Sequence, residues 1–514
     1  MSIKSSWFAL LLLVSLVCAW LPLAPSIIAF FDFPQWLGSL DSRVLLLLWR
    51  SIWMSSAAAI ISLAIGWPLG IILGRFRFIG SSTYLLLLPL SLMLPPLMVA
   101  QAWYGLLGIS GPWAAVFSFA CSYAPLPALL VIRSLNKQAA SSYDTARMLS
   151  PKLSLRLMLS HTRSAALVGA ALCFIFSIGD FAVPDYFATV GDLFHVYSSE
   201  VFGNSRNSDF RAGAVASLPL ILISIGLLFS ILPWLKNQQH YSGQACAQPH
   251  APRKPRTLSA ISLLFISMLV FAIIGRMLYE SGMRGPLATA TWFETSSKAF
   301  YDAFSLGRSD MIRTFQFAGL GSLICLAFAP LWAFAIHYSK GMRRNVLFVI
   351  LVLPMLVPSL CMAFGSIMVF NQPYLDSLYN SILLPAMLIA GRFMPIAVLI
   401  CLNALGDQAA AIDASAYLHK LSIRQRVYSL FMRNNWRACV LGAALVFVFA
   451  MRELDFAILL PAANQSTAVR YYNALHFSRD NFVAAFGLSI SFILFLPIAF
   501  SAWLSKGSNK IHDK

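Results

Sequence analysis

The chain has 514 residues, 59% hydrophobic and only 11% charged, with a formal net charge of +18 and a mean hydropathy of +0.75. A soluble domain carries roughly 25% charged residues, so a soluble globular protein is excluded, and the positive charge reads as cytoplasmic loop charge rather than a nucleic-acid surface. Apolar runs recur at the roughly 18 to 25 residues a helix needs to cross a bilayer, not as the alternating ten-residue segments of a transmembrane barrel, which makes this an all-α polytopic membrane protein in the lipid bilayer.

The first apolar run, 7–31, follows Lys4. It is longer than the apolar region of a secretory signal and has no A-x-A site, so an uncleaved span is expected. Spans over 52–73, 83–107 and 113–132 follow, and Leu94-Pro95-Pro96-Leu97 interrupts the 83–107 run. Prolines there free backbone groups that neighbours or water must satisfy. A basic loop, 134–164, leads into a fifth span over 168–186 that reaches Asp180, and a sixth covers 211–235. The polar segment 236–257, punctuated by Pro249, Pro252 and Pro255, reads as a cytoplasmic linker. Further spans near 258–281, 313–337, 346–370, 379–402, 438–461 and 482–504 bring the total to about twelve. Placing both termini in the cytoplasm puts most Lys and Arg on the inside. The eight cysteines show no paired spacing, so neither a structural disulfide nor a metal cluster is expected.

The chain repeats itself. Leu94-Pro95-Pro96-Leu97-Met98-Val99-Ala100 aligns without gaps on Val357-Pro358-Ser359-Leu360-Cys361-Met362-Ala363, and Arg50-Ser51 on Arg313-Thr314 at the same offset. Gly169-Ala170-Ala171-Leu172 returns as Gly442-Ala443-Ala444-Leu445, Asp180-Phe181-Ala182 as Asp455-Phe456-Ala457, and Pro127 as Pro395. The matches keep their order. They predict two parallel six-helix repeats, 1–235 and 258–514, related by an axis along the membrane normal, with a central path between them.

The loops before the fifth and eleventh spans, 134–164 and 403–437, are patterned. In the second, Asp413-Ala414-Ser415-Ala416-Tyr417-Leu418-His419-Lys420 reads as a short helix, followed by Arg424, Arg426 and Arg433 among apolar residues. Such a segment can lie along the membrane face, present a helix to a partner's groove, or act only as orienting positive charge.

These loops resemble the E-A-A-x3-G-x9-I-x-L-P motif of binding-protein-dependent ABC importer permeases. Asp413, Ala414, Ser415 and Ala416 stand at the acidic–alanine positions and Lys420 at the glycine. In the first half, Asp144, Thr145 and Ala146 form the similar segment, with Ser150 near the glycine. Both copies lack that glycine, and neither has a clear Leu-Pro. The resemblance implies a type I importer fold in a bacterial cytoplasmic (inner) membrane. It implies that the two loops are coupling helices for two ABC ATPase subunits, and that ATP is bound there, with no cofactor in this chain. It also implies a periplasmic or lipid-anchored solute-binding protein docking on outer loops 185–210, 282–310 and 462–481. Fused double permeases of this kind occur among ferric-iron and thiamine importers. The stretch around Gly179-Asp180-Phe181-Ala182-Val183-Pro184 and the segment Met451-Arg452-Glu453-Leu454 look like the iron type.

Asp180, Arg392, Arg452, Glu453 and Asp455 fall in or near spans. Ionisable groups there are costly and usually face a cavity or a partner. They either line a translocation path, pair structurally, as Arg452 with Asp455 one turn on, or snorkel to the interface. Carboxylates suit a hard cation such as Fe³⁺, but conduction requires release, so no stable metal site is expected. The chain has no G-x-x-x-x-G-K-[ST], H-E-x-x-H or G-x-S-x-G, so neither its own ATPase nor another catalytic site is expected. A parallel-repeat secondary transporter driven by an ion gradient is the competing class; it gives the duplicated loop no role.

Overall fold

The computed structural model describes residues 5–38, 41–136, 140–206, 210–237, 255–284, 289–405, 415, 418–419, 421–433, 435–461, 465–477 and 480–495. Among these residues there are helices and turns and no β-strand. In hydrocarbon every backbone group must be satisfied internally, and apolar runs of this length do so as helices. Eight helices are long and apolar enough to cross a bilayer, and the number reaches eleven if each of three bent helix pairs is one span. The protein is therefore a polytopic helical membrane protein. The last expected span, 482–504, falls partly on the Asp480–Phe495 helix and partly outside the described residues. Most of the expected linker, 238–254, also lies outside them.

The prolines act where the sequence places them. Ser81–Ser91 and Pro96–Leu107 meet at 107°, and Gly341–Leu356 and Ser359–Phe370 at 96°. Pro95 and Pro358 sit at the two breaks with nearly the same backbone, ψ 134° and ψ 141°. Each is extended, so its helix ends and a new one starts at the next residue.

Two segments expected between the spans are largely helical. Much of 134–164 forms a short helix, Ala140–Leu149, and the start of Pro151–Gly179. The Ser150 hydroxyl accepts from the Lys152 amide and Pro151 takes the first helical position, a strong start signal. Likewise most of 282–310 belongs to Trp292–Tyr338, a 47-residue helix. At 1.5 Å per residue it is about 70 Å long, over twice the roughly 30 Å hydrocarbon core. A reciprocal cap between Thr291 and Glu294 starts it, and no proline follows until Pro330.

Each half opens with an apolar arm, Ala9–Ile28 and Arg256–Ser281. Each arm contains a π-helical turn, Leu16–Trp20 and Ser267–Phe271. The arms are exchanged. The first packs on the Ser359–Phe370 and Leu383–Leu405 helices, with Trp20 Nε1 donating to the Ile350 carbonyl at 3.0 Å. A Cβ on Gly391 would lie 2.1 Å from the Cys18 carbonyl oxygen, and one on Gly365 1.7 Å from that of Pro22. The second arm packs on Ser42–Arg75, Ser81–Ser91 and Pro96–Leu107. Gly391→Val is therefore expected to unseat the first arm at a cost of about 1–3 kcal/mol, read as a lower Tm in detergent. An unchanged Tm would mean that the arm is not seated there.

Several contacts recur between the halves. The Ser51 hydroxyl oxygen accepts from the Tyr197 amide at 2.8 Å, and that of Thr314 from the Thr467 amide at 2.9 Å. At the far end of the same two long helices, Arg75 lies 5.1 Å over the Tyr143 ring, and Arg426 lies 5.1 Å over the Tyr338 ring. The cation and the aromatic have changed sides. Tyr123 packs on Phe176 and Phe393 on Phe449, both with centroids 5.6 Å apart.

These contacts shift two of the sequence matches. They align Tyr123 with Phe393, and hence Pro125 with Pro395 in place of Pro127. The packing glycines set this register, since a Cβ on Gly169 would meet Pro127 and one on Gly442 would meet Ala397. Similarly, Asp180 and Glu453 each end their helix. Asp455 comes later, with Leu454, in an insertion ahead of the buried Phe456.

Candidate central chamber

Helix ends from both halves meet at one cavity of about 100 Å³. The Pro151–Gly179 and Trp436–Arg452 helices end at it, and the Pro96–Leu107 and Ser359–Phe370 helices begin beside it. Gly179 makes room for Pro358, which a Cβ would approach to 3.0 Å. The two aromatic pairs, Tyr123 with Phe176 and Phe393 with Phe449, form much of the wall.

The structure brings all five intramembrane charges expected from the sequence to this cavity. Asp180, Arg392, Arg452, Glu453 and Asp455 all line it. Asp180 Oδ1 accepts from the Val183 amide at 3.1 Å, capping the short Ala182–Val190 helix. Asp455 Oδ2 accepts from Ser359 Oγ at 2.6 Å. Glu453 Oε2 lies 3.8 Å from Arg392 Nε. Among the described residues no ion pair joins Arg452 to Asp455, the pairing the sequence suggested; Ser359 holds that carboxylate instead. Arg392 and Arg452 lie beside Phe393 and Phe449, with ring centroids 5.6 and 5.7 Å away.

Polar ties close one side of the chamber across the two halves. They run from the Thr467–Phe477 helix, whose start is capped by Thr314. Tyr472 Oη donates to Asp185 Oδ2 at 2.5 Å, and His476 Nε2 lies 3.5 Å from the same oxygen. Tyr471 Oη donates to Gln101 Oε1 at 2.6 Å, and Gln101 Nε2 donates to Glu280 Oε2 at 3.1 Å. Arg276 Nε completes the chain, 2.9 Å from Glu280 Oε1. Sequence reasoning missed Ser359, Gln101 and Tyr471, because isolated polar residues in apolar runs carry no periodic signal. Phe176 and Phe449 were findable, since both fall inside the duplicated Gly-Ala-Ala-Leu helix.

The loop residues lie at the other end. Asp144, Thr145 and Ala146 belong to the Ala140–Leu149 helix, with Thr145 exposed and Ala146 buried. Tyr143 anchors it: its ring is buried, and its hydroxyl lies 3.1 Å from His161 Nδ1. Met148 and Leu149 project outward, 88% and 75% exposed. Ser415 is exposed; Asp413, Ala414, Ala416 and Lys420 lie outside the described residues.

Among the described residues, no three or more His, Cys, Asp or Glu side chains are grouped to hold a metal ion. The cavity presents charge of both signs, aromatic walls and little volume. It can hold a small ion or one polar group of a larger solute. The chain matches no family model, no curated protein and no solved structure.

Proposed function

We propose that this chain is the permease subunit of a binding-protein-dependent ABC importer with ferric iron as cargo. It is built as two parallel six-span repeats around the chamber, in a bacterial cytoplasmic membrane with both termini inside. One observation carries the reading. A short helix bearing Asp144, Thr145 and Ala146, pinned through Tyr143, stands ahead of a span that runs to the chamber. That is the place and order of the importer coupling loop, and the Arg426–Tyr338 contact offers a second pinned segment in the other half. Two separate ATPase subunits dock on these segments, and their closure rocks the halves. A solute-binding protein docks at the opposite end, near the groove of about 710 Å³ lined by Glu294, Lys298, Asp302 and Arg470.

The test is affinity purification of the full chain in mild detergent from its native host. An ATPase should co-purify, and a chain carrying both Met148→Glu and Leu149→Glu should lose most of it while staying monodisperse. A chain that purifies alone, and transports in vesicles on an ion gradient without ATP, would overturn the proposal and make it a secondary transporter.

A further inference from the structure

We propose that the chamber recognises its cargo through an anionic oxygen group, a carboxylate or phosphate, held by Arg392 and Arg452. This rests on reading the chamber as the cargo path. Of the three carboxylates, Asp455 takes a donor from Ser359 at 2.6 Å and Asp180 one from the Val183 amide at 3.1 Å. The guanidinium groups lack hydrogen-bond acceptors. Arg392 is 7% exposed and forms an ion pair with Glu453 at 3.8 Å, too long for a hydrogen bond, so its Nε and Nη1 have no acceptor. Arg452 likewise has buried Nε and Nη1 atoms without an acceptor. Donors left so are costly, more so on a charged group, and a guanidinium fork matches a carboxylate or phosphate in plane and spacing.

Helix dipoles act in the same direction. The Pro151–Gly179 and Trp436–Arg452 helices end at the cavity, while Pro96–Leu107, Ala182–Val190 and Thr467–Phe477 begin at it, so their partial charges do not oppose the guanidinium groups. Those groups are one-sided. In the register fixed by the aromatic pairs and the helix ends, Ser122 and Gly179 stand where Arg392 and Arg452 stand. A site that arose by duplication alone would carry its charges in pairs. This one carries both cations in the second half, with Glu453 and Asp455 beside them, and so offers a cation-bearing oxyanion complex ligands of both signs.

The test uses the purified full chain in lipid nanodiscs, titrated calorimetrically with inorganic phosphate, citrate and ferric citrate. At least one probe should bind, and Arg392→Gln and Arg452→Gln should each weaken it about tenfold or more. Arg392→Lys, which keeps the charge and loses the fork, should give an intermediate loss at unchanged Tm, and it serves as the readout if the Gln variants do not fold. Ferric citrate binding more tightly than citrate, with Asp455→Asn weakening only the ferric form, identifies the anion as part of a metal complex. Phosphate or citrate binding alone, indifferent to Asp455→Asn, identifies a free oxyanion. No binding of any probe, or Gln and Lys variants that bind as wild type does, overturns the proposal. ATPase co-purification is scored on the same preparations, so failure of the importer reading registers separately.

Discussion

Arg470→Met is expected to destabilise the protein by about 3–5 kcal/mol, the cost of leaving a buried charge without its partner. Arg470 lies on the Thr467–Phe477 helix and pairs with Asp310 on the long Trp292–Tyr338 helix. The Asp310 side chain is only 2% exposed, so water cannot replace the guanidinium. The first half offers an internal control. There Arg43, on the Ser42–Arg75 helix, pairs with Glu200 on Tyr197–Arg206 at 2.7 Å, with the signs exchanged between the two elements. Those side chains are 61% and 30% exposed, and exposed pairs contribute about 0–1 kcal/mol. Arg43→Met should therefore barely move the Tm in detergent, while Arg470→Met lowers it strongly. Equal shifts would show that burial does not set the difference.

The second large effect is on transport. Combining Asp180→Asn with Glu453→Gln should cut solute uptake by at least about thirtyfold. Glu453 is the carboxylate nearest Arg392, at 3.8 Å. Truncating one member of a buried, hydrogen-bonded charge pair costs about 2–5 kcal/mol; this pair has no hydrogen bond, so the lower end applies, and each 1.4 kcal/mol is a factor of ten. Asp180 and Glu453 end the two helices that reach the chamber, so the pair of changes alters both sides of the path. Uptake into cells is the measurement, with chain abundance and ATPase association scored in parallel. Normal uptake with intact assembly would remove these carboxylates from the path.

The sequence showed a good deal of this architecture. The double proline marked an interrupted run, and the chain bends there and again, at a similar angle, at Pro358. The five intramembrane charges could be named from their cost in hydrocarbon alone, and they meet at one cavity although Asp180 and Asp455 lie in different halves. What the sequence hid was mostly continuity and crossing. Residues 292–312 are polar enough to look like a loop, yet nothing there breaks a helix, and a capping Thr291 starts one. The Asp-Phe-Ala match drew attention to Asp455, while the helix actually ends at Glu453; a short motif match cannot place an insertion. The arms look like ordinary first spans, because an apolar run does not reveal which half it packs against. Close backbone approach at Gly365 and Gly391 decides that, and it appears only once the two halves are packed together.

The exchanged arms also impose a waiting time on synthesis. Trp20 reaches Ile350, a separation of 330 residues, and at roughly 5–20 residues per second that carbonyl emerges about 15 to 65 seconds later. Through that interval the first arm sits in the lipid without its final neighbours. The nascent first half therefore stays incomplete until the second half arrives to take its arm and lend its own.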